Sequence, residues 1–312
     1  MTVMLIAGSG GHLTQLKILA DRIPDARDRI WVTDRTPQSE SLLRDERVVF
    51  LPHQAPRSII GLVKNAWILS QGFEPTVSRM YSTGAGIALS GVLVAYLRRV
   101  KFTYIESATR VSSLSLSGKV INWLPFVERF VQHDQIAKGR WKNVGSVFDG
   151  FLPTARFDQS STETLSVFVT VGANQHIGFD RLIRDLHSLI PPSWSAYWQY
   201  GPTNIDGLDL NGKPTLSAVE MARQLESADV VVSHAGTGSI LSALMAGKIP
   251  IVVPRTASTG EHVDQHQEDL AGFASEKGLA IVRDSSQITV EEMIAASRLA
   301  ATRAKVLDAL PL

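Results

Sequence analysis

Asp229-Val-Val-Val-Ser-His-Ala-Gly-Thr-Gly-Ser-Ile-Leu-Ser-Ala-Leu-Met-Ala-Gly-Lys-Ile-Pro-Ile-Val-Val-Pro-Arg255, followed closely by Glu261-His-Val-Asp-Gln-His-Gln267, is the most informative stretch of this chain. Two β-branched runs, Val230 to Val232 and Ile249 to Val253, bracket one helical segment. Both runs are continuously apolar, as strands buried on both faces of a parallel sheet are. His234, Gly236, Thr237, Gly238 and Ser239 fall at the strand-to-helix corner. Ser and Thr there can cap the helix, and its open first-turn N–H groups suit an anion. Glu261, His262, Asp264 and Gln267 follow the next strand and so return to the same carboxyl-terminal sheet edge, where open α/β sheets bind ligands. The pattern predicts a pocket for a phosphorylated, hydroxyl-rich molecule such as a nucleotide-sugar. The alternative is a tight βα turn with no ligand.

Working outward, the same strand–glycine–helix unit recurs. Val3 to Ala7 runs into Gly8-Ser9-Gly10-Gly11-His12 and a helix. Glycines there let backbone N–H groups approach an anion. The dinucleotide fingerprint is broken at Leu13, which weakens a dehydrogenase reading. At a helix N-terminus His12 is biased toward neutral imidazole, which can take a proton from a hydroxyl; capping or packing is the alternative role. Val77 to Tyr81 leads to a second such turn, Ser82-Thr83-Gly84-Ala85-Gly86, and Ser166 to Val171 leads to a third, Gly172 to Gly178. Strands alternating with helices predict two doubly wound α/β domains, 1–150 and 151–312. The linker falls within Gly145 to Asp158, and a closing helix, Glu291 to Ala309, is expected to cross back onto the first domain.

Composition bounds the class. The chain has 312 residues, 44% apolar and 20% charged, which suits a full core, and no cysteine, which excludes disulfides. The N-terminus lacks signal-peptide features, and no apolar run is long enough to span a bilayer. The net charge of +1 conceals an asymmetry: residues 1–155 carry 19 Lys/Arg against 12 Asp/Glu, and residues 156–312 carry 12 against 18. A basic first half suits a diphosphate or an anionic membrane, or else attraction between the halves. No nucleic-acid-binding motif is present. A helix over Pro56 to Ser70, with Ile59, Ile60, Val63 and Trp67, reads either as a core helix or as a surface dipping into a lipid interface; Val120 to Phe126 poses the same choice.

The phrases Ser-His-Ala-Gly-x-Gly-Ser-Ile-Leu, Gly-Lys-x-Pro, Val-Val-Pro-Arg and Asp-x-His-Gln resemble the donor-binding half of UDP-sugar glycosyltransferases of the MurG type. They also resemble the catalytic subunit of the eukaryotic two-part N-acetylglucosaminyltransferase that extends dolichol diphosphate. Gly-x-Gly-Gly-His at 8–12, and Glu106-Ser-Ala-Thr-Arg110 running on to Lys119, resemble the membrane-recruiting partner subunit of that pair. The chain therefore looks like a single-chain fusion, acceptor half first.

The resemblance implies a GT-B fold: two facing Rossmann-like domains with the site in the cleft. It implies inverting, metal-independent transfer from a UDP-sugar to a polyprenyl-diphosphate-linked saccharide in polysaccharide or exopolysaccharide synthesis, by a cytoplasmic protein peripheral on the inner plasma-membrane face. No cofactor is expected, and His262 and His266 are not expected to bind metal. His12 is the first candidate base and Glu106 the second. Gly10, Gly11, Thr83, Gly84 and Arg110 are expected at the acceptor. Gly172 and Asn174 are expected near the donor diphosphate, with Gln199 and Tyr200 near uracil. Arg255 and His262 would favour an acidic sugar such as glucuronic acid, with N-acetylglucosamine, glucose and galactose open. The ribose-binding acid of many relatives is Ser242 here, leaving Glu261, Asp264 or Gln267 to replace it. A UDP-sugar 2-epimerase or a non-catalytic UDP-sugar-binding protein would use the same scaffold.

Overall fold

The computed structural model describes residues 2–23, 28–55, 57–156, 163–172, 177–255, 266–304 and 309–310. The chain divides into two compact units, Met1–Val147 with Val306–Leu312, and Phe148–Lys305.

In the first unit the strands are β1 (Thr2–Ala7), β2 (Asp28–Asp34), β3 (Arg47–Leu51), β4 (Val77–Gly84), β5 (Lys101–Ile105), β6 (Val127–Val131) and β7 (Lys142–Asn143). Its helices are α1 (Gly11–Ala20), α2 (Pro37–Leu42), α3 (Ile59–Gln71), α4 (Ile87–Arg98) and α5 (Leu116–Ile121). The sheet is wholly parallel in the order β3-β2-β1-β4-β5-β6-β7. All six residues of β1 are buried, because a central parallel strand has helices on both faces. The strand order reverses between β1 and β4, and such a switch point opens a crevice at the carboxyl-terminal edge.

The second unit contains β8 (Phe151–Ala155), β9 (Ser166–Thr170), β10 (Ser195–Gln199), β11 (Gly212–Lys213), β12 (Val230–His234), β13 (Ile251–Val253), β14 (Ile281–Val282) and β15 (Leu299–Arg303). Its helices are α6 (Asp180–Leu189), α7 (Ala218–Ser227), α8 (Thr237–Met245), α9 (His266–Glu276) and α10 (Val290–Ser297). The main sheet runs β11-β10-β9-β12-β13-β14, parallel throughout, with its own switch point between β9 and β12. Phe168, Val169, Val231 and Val232 are at most 2% exposed, as the apolar runs require. α7 opens with a capping box in which Ser217 and Glu220 bond reciprocally to each other's backbone N–H.

Several expectations are corrected. The single closing helix ends at Ser297, and residues 299–303 form β15, antiparallel to β8. The expected linker region contains β8, so part of it is ordered by strand pairing. β4 runs past Tyr81 through Gly84, into the expected turn, while the helix after that turn starts at Ile87 as its residues imply. Pairing of β4 with β1 skips Thr83, an irregularity of the kind that re-aims a backbone group at a sheet edge. Finally, α3 is not a core helix on every apolar side. It buries Asn65, Ala66 and Leu69 and leaves Ile60 83% and Trp67 63% exposed. No helix among the described residues is long and apolar enough to cross a membrane.

Candidate functional site

At the switch point of the first sheet, the β1–α1 turn meets the end of β4. Gly10 caps α1 at φ 83°, a conformation that strains any L side chain. The turn is anchored by Asp34 at the end of β2, which accepts from the Ser9 N–H at 2.6 Å and from its hydroxyl at 2.7 Å. Burial alone would raise the Asp34 pKa, but the Ser9 bonds and His53 outweigh it and hold the carboxyl below its usual value. The sequence reading missed Asp34. Its available signal was an acid closing the second strand beside a glycine turn.

His12 lies in the first turn of α1, half-buried. Its Nδ1 is 2.9 Å from the Thr83 carbonyl, and the Thr83 hydroxyl donates to the His12 carbonyl at 2.8 Å. A carbonyl can only accept, so Nδ1 carries the hydrogen. In neutral imidazole, Nε2 is then the basic nitrogen. Burial lowers the pKa of His12; the bond to Thr83 opposes this, and the Arg110 charge reinforces it, with a net downward shift. A Cβ on Gly84 would lie 3.0 Å from His12 Cε1 and 3.2 Å from Tyr104 Oη, so the close approach of β4 to the imidazole needs glycine. The structure therefore brings His12, Gly10, Gly11, Thr83 and Gly84 together at one sheet edge.

Glu106, the second candidate base, is engaged by protein donors. It is fully buried and accepts from the Ser107 N–H, the Ser115 N–H and the Ser115 hydroxyl, each at 3.0 Å, and from the Tyr104 hydroxyl at 3.2 Å. A Cβ at Gly118 would fall 2.1 Å from its Oε2. Burial raises its pKa, while Ser115, Ser107 and the Arg110 charge pull it down, and the rise prevails. Four donors and a packed helix leave no approach for a hydroxyl. Glu106 instead ties α5 to the loop that follows β5. Arg110, half-buried, is near enough for its charge to act on His12, Tyr104 and Glu106.

Gln15, one turn beyond His12, was also missed by sequence. Its Oε1 accepts from the Ala108 N–H at 2.8 Å and from Gln132 at 3.2 Å, and its Nε2 donates to Ser107 at 3.0 Å. This buried network locks the loop after β5 to α1.

The second unit repeats the device. Gly172, at φ 83°, follows β9, and the ring of His234 packs against both it and Gly236. A Cβ at Gly172 would sit 2.3 Å from His234 Cε1, and one at Gly236 would sit 2.1 Å from Nε2. Both positions therefore require glycine for space. Gly236 is the N-cap of α8 and has no side chain to cap with, which corrects the expectation of a Ser or Thr cap. The first-turn residues Thr237, Gly238 and Ser239 follow it. Ser239 Oγ lies 3.4 Å from His234 Nδ1. An uncapped helix N-terminus beside a glycine turn, at a switch point, is a geometry for holding phosphate oxygens.

Three expected donor contacts turn out to brace this turn. Arg255 is 2% exposed; its Nη2 donates to the Val171 carbonyl at 3.1 Å and the Ile177 carbonyl at 3.2 Å, and its guanidinium lies 5.1 Å from the Phe179 ring centroid. Its backbone N–H donates to Gln267 Oε1 at 3.0 Å, which engages that side chain too. Gln199, 1% exposed, accepts from the Thr170 hydroxyl, and Thr170 Oγ1 also receives the Gly172 N–H at 3.2 Å. Their polar ends bond to protein because buried groups must be satisfied. Tyr200 is half-buried after β10, and Ser242 half-buried on α8. Asn174, Glu261, His262 and Asp264 lie outside the described residues.

Residues 166–307 match the glycosyltransferase family 28 C-terminal domain. The chain is 30% identical over 168 residues to the UDP-N-acetylglucosamine transferase subunit ALG14 of Debaryomyces hansenii, covering 43% of this chain and 70% of that relative. It is 26% identical over 152 residues to a UDP-N-acetylglucosamine--N-acetylmuramyl-(pentapeptide) pyrophosphoryl-undecaprenol N-acetylglucosamine transferase of Desulforamulus reducens, covering 48% of this chain and 37% of that one. The crystal structure of Acinetobacter baumannii MurG superposes with a TM-score of 0.54 at 18% identity, over 94% of this chain and 88% of that one, which identifies the fold as GT-B. With two Rossmann-like sheets and 70% of that ALG14 subunit covered at 30% identity, the chain belongs to the family of UDP-N-acetylglucosamine transferase subunit ALG14, and its residues 166–307 form a glycosyltransferase family 28 C-terminal domain.

Proposed function

We propose that this protein is a metal-independent, inverting glycosyltransferase that moves a sugar from a UDP-sugar to a polyprenyl-diphosphate-linked saccharide in polysaccharide synthesis. The observation that carries this reading is His12 itself. Its Nδ1 is committed to the Thr83 carbonyl, which leaves Nε2 as a base beside a glycine turn suited to an anion. In the proposed step His12 Nε2 takes the proton of an acceptor hydroxyl. The hydroxyl oxygen bonds to the anomeric carbon as the bond from that carbon to the UDP oxygen breaks. The charge developing on UDP is met by the first-turn N–H groups of α8 and by its dipole. Gly10 and Gly11 help to hold the acceptor diphosphate.

N-acetylglucosamine is the sugar this reading favours. Of the relatives named above, one is a subunit of a UDP-N-acetylglucosamine transferase and another is an N-acetylglucosamine transferase. The argument for an acidic sugar loses Arg255, whose guanidinium faces backbone carbonyls.

The acceptor reading also brings in a membrane. α3 exposes Ile59, Ile60, Val63 and Trp67, and Trp123 after α5 is 84% exposed, with Arg57, Lys64 and Lys119 close by in sequence. Aromatic and aliphatic side chains among basic ones suit the interface of an anionic bilayer. We assign this face to the cytoplasmic leaflet of the plasma membrane.

The test is transfer by the full chain from UDP-N-acetylglucosamine to a short-chain polyprenyl-diphosphate saccharide, in the presence of EDTA. Release of UDP only with acceptor, and a product whose anomeric coupling is inverted by NMR, are expected. Donor conversion without acceptor, or an absolute need for a divalent ion, would overturn the proposal.

A further inference from the structure

The first unit contains a polar cavity of about 260 Å³ at the amino-terminal end of β6 and so at the sheet edge opposite His12. Its lining includes Phe126, Glu128, Arg129, Arg140 and Lys142. Arg129 is only 3% exposed. Its Nη2 donates to the Leu124 carbonyl, but Nε and Nη1 have no hydrogen-bond partner among the described residues. Arg140 donates to the adjacent Pro125 carbonyl at 2.9 Å, so two guanidinium groups bracket one turn. Burial and then the Arg140 charge hold the Arg129 pKa below the ordinary guanidinium value, yet the group stays ionised.

Glu128 does not neutralise it. Neighbouring strand residues face opposite sides, and the Glu128 carboxylate bonds to the Thr103 hydroxyl at 2.9 Å and to Arg79 at 3.3 Å. A buried guanidinium with open N–H groups and cationic neighbours is costly unless an anion completes it. A phosphate fits the fork and the charge.

The surroundings select the source of that phosphate. Val120 is 50% exposed, Trp123 84% and Phe126 39%, and the Phe126 ring packs on Tyr96 with centroids 5.3 Å apart. A basic cavity beside an apolar, aromatic surface matches a lipid headgroup above its acyl chains. We infer that this cavity binds the phosphate of an anionic phospholipid headgroup, gripped by the Arg129 fork with Arg140 and Lys142. The inference rests on the membrane-facing reading of α3 and α5, and deepens it from a diffuse basic surface to a discrete site.

The experiment uses the full chain in two assays. Flotation with phosphatidylcholine vesicles, with and without phosphatidylglycerol, reports membrane binding; calorimetric titration with soluble dihexanoyl phosphatidylglycerol, and with inorganic phosphate, reports the site. The wild type is expected to float more with phosphatidylglycerol and to bind the short-chain lipid more tightly than phosphate. Arg129→Gln should remove about tenfold of the phosphatidylglycerol effect, the worth of a charged hydrogen-bonded pair, and spare binding to phosphatidylcholine. Arg129→Lys, which keeps charge but not the fork, should fall between. If circular dichroism shows that Arg129→Gln misfolds, the Arg140→Gln/Lys142→Gln double variant gives the same test at exposed positions. Unchanged phosphatidylglycerol binding in the folded variants overturns the site, as does equal affinity for free phosphate. If the wild type binds short-chain lipid but no vesicle, the membrane-facing reading fails and the headgroup site stands.

Discussion

Gly84→Ala probes the architecture of the acceptor turn with a single methyl group. The added Cβ would stand 3.0 Å from His12 Cε1, whereas ordinary contact begins at 3.4 Å, so the ring must retreat by about 0.4 Å. It cannot do so freely, because Nδ1 is held at 2.9 Å by the Thr83 carbonyl and the opposite side of the new methyl meets Tyr104 Oη at 3.2 Å. The backbone also resists, since φ is 117° at this residue, a region that strains an L side chain by about 1–3 kcal/mol. Displacement of a catalytic group by a sizeable fraction of an ångström costs about tenfold or more in turnover. Expected, then, are a stability loss of about 1–3 kcal/mol by urea denaturation and a fall of about 10- to 100-fold in kcat, with the KM for UDP-sugar little changed because the donor turns lie in the other unit. A folded Gly84→Ala enzyme with kcat within twofold of the wild type would refute the placement of His12 at the reacting centre.

Other expectations follow from the same geometry. His12→Gln should lower kcat by about 10²- to 10⁴-fold, and the wild-type kcat/KM should rise with pH through a value below the ordinary histidine pKa of 6.5 and then level, a step absent from the variant. Because the folded-state pKa of His12 is depressed, its contribution to stability is complete above pH 6.5 and is lost as pH falls through the lower native value, which thermal melts in a pH series would register. Arg255→Met leaves the Val171 and Ile177 carbonyls without their donor, so a loss of about 2–5 kcal/mol in urea and a weaker UDP-induced thermal shift are expected. Trp67→Ser with Trp123→Ser, both at exposed positions, should change stability by less than about 0.5 kcal/mol yet reduce flotation with vesicles.

The strand runs and glycine corners were legible because a parallel strand covered on both faces admits almost only apolar residues. Val230 to Val232 stands where the pattern put it, and of the run Ile249 to Val253 the strand takes Ile251 to Val253. The corner at Gly236 was equally visible, since crowding against the His234 ring leaves glycines in the sequence, but the uncapped start of α8 was not. The end of the chain was not: residues 299–303 are as compatible with helix as the Ala-rich run before them, and only pairing with β8 makes them a strand. Strand propensity is weak where partner contacts decide.

The division of labour among polar residues shows the same limit. Sequence placed His12, Glu106, Gln199, Arg255 and Gln267 near the ends of the right strands, because topology sends every strand end of a parallel sheet to one edge. It could not tell which of them faces outward. Glu106 meets four donors, Gln199 accepts from Thr170 beneath the Gly172 turn, and Arg255 and Gln267 hold one another and the flanks of that turn. Nor could sequence find Asp34 or Gln15, whose partners lie 25 and about 92 residues away along the chain. Local sequence thus determined the α/β class, the glycine turns and the presence of an imidazole at the first of them. Tertiary packing alone decided which nitrogen of that imidazole is basic and which charges are buried as braces, because burial and hydrogen-bond partnership are properties of what folds against a residue.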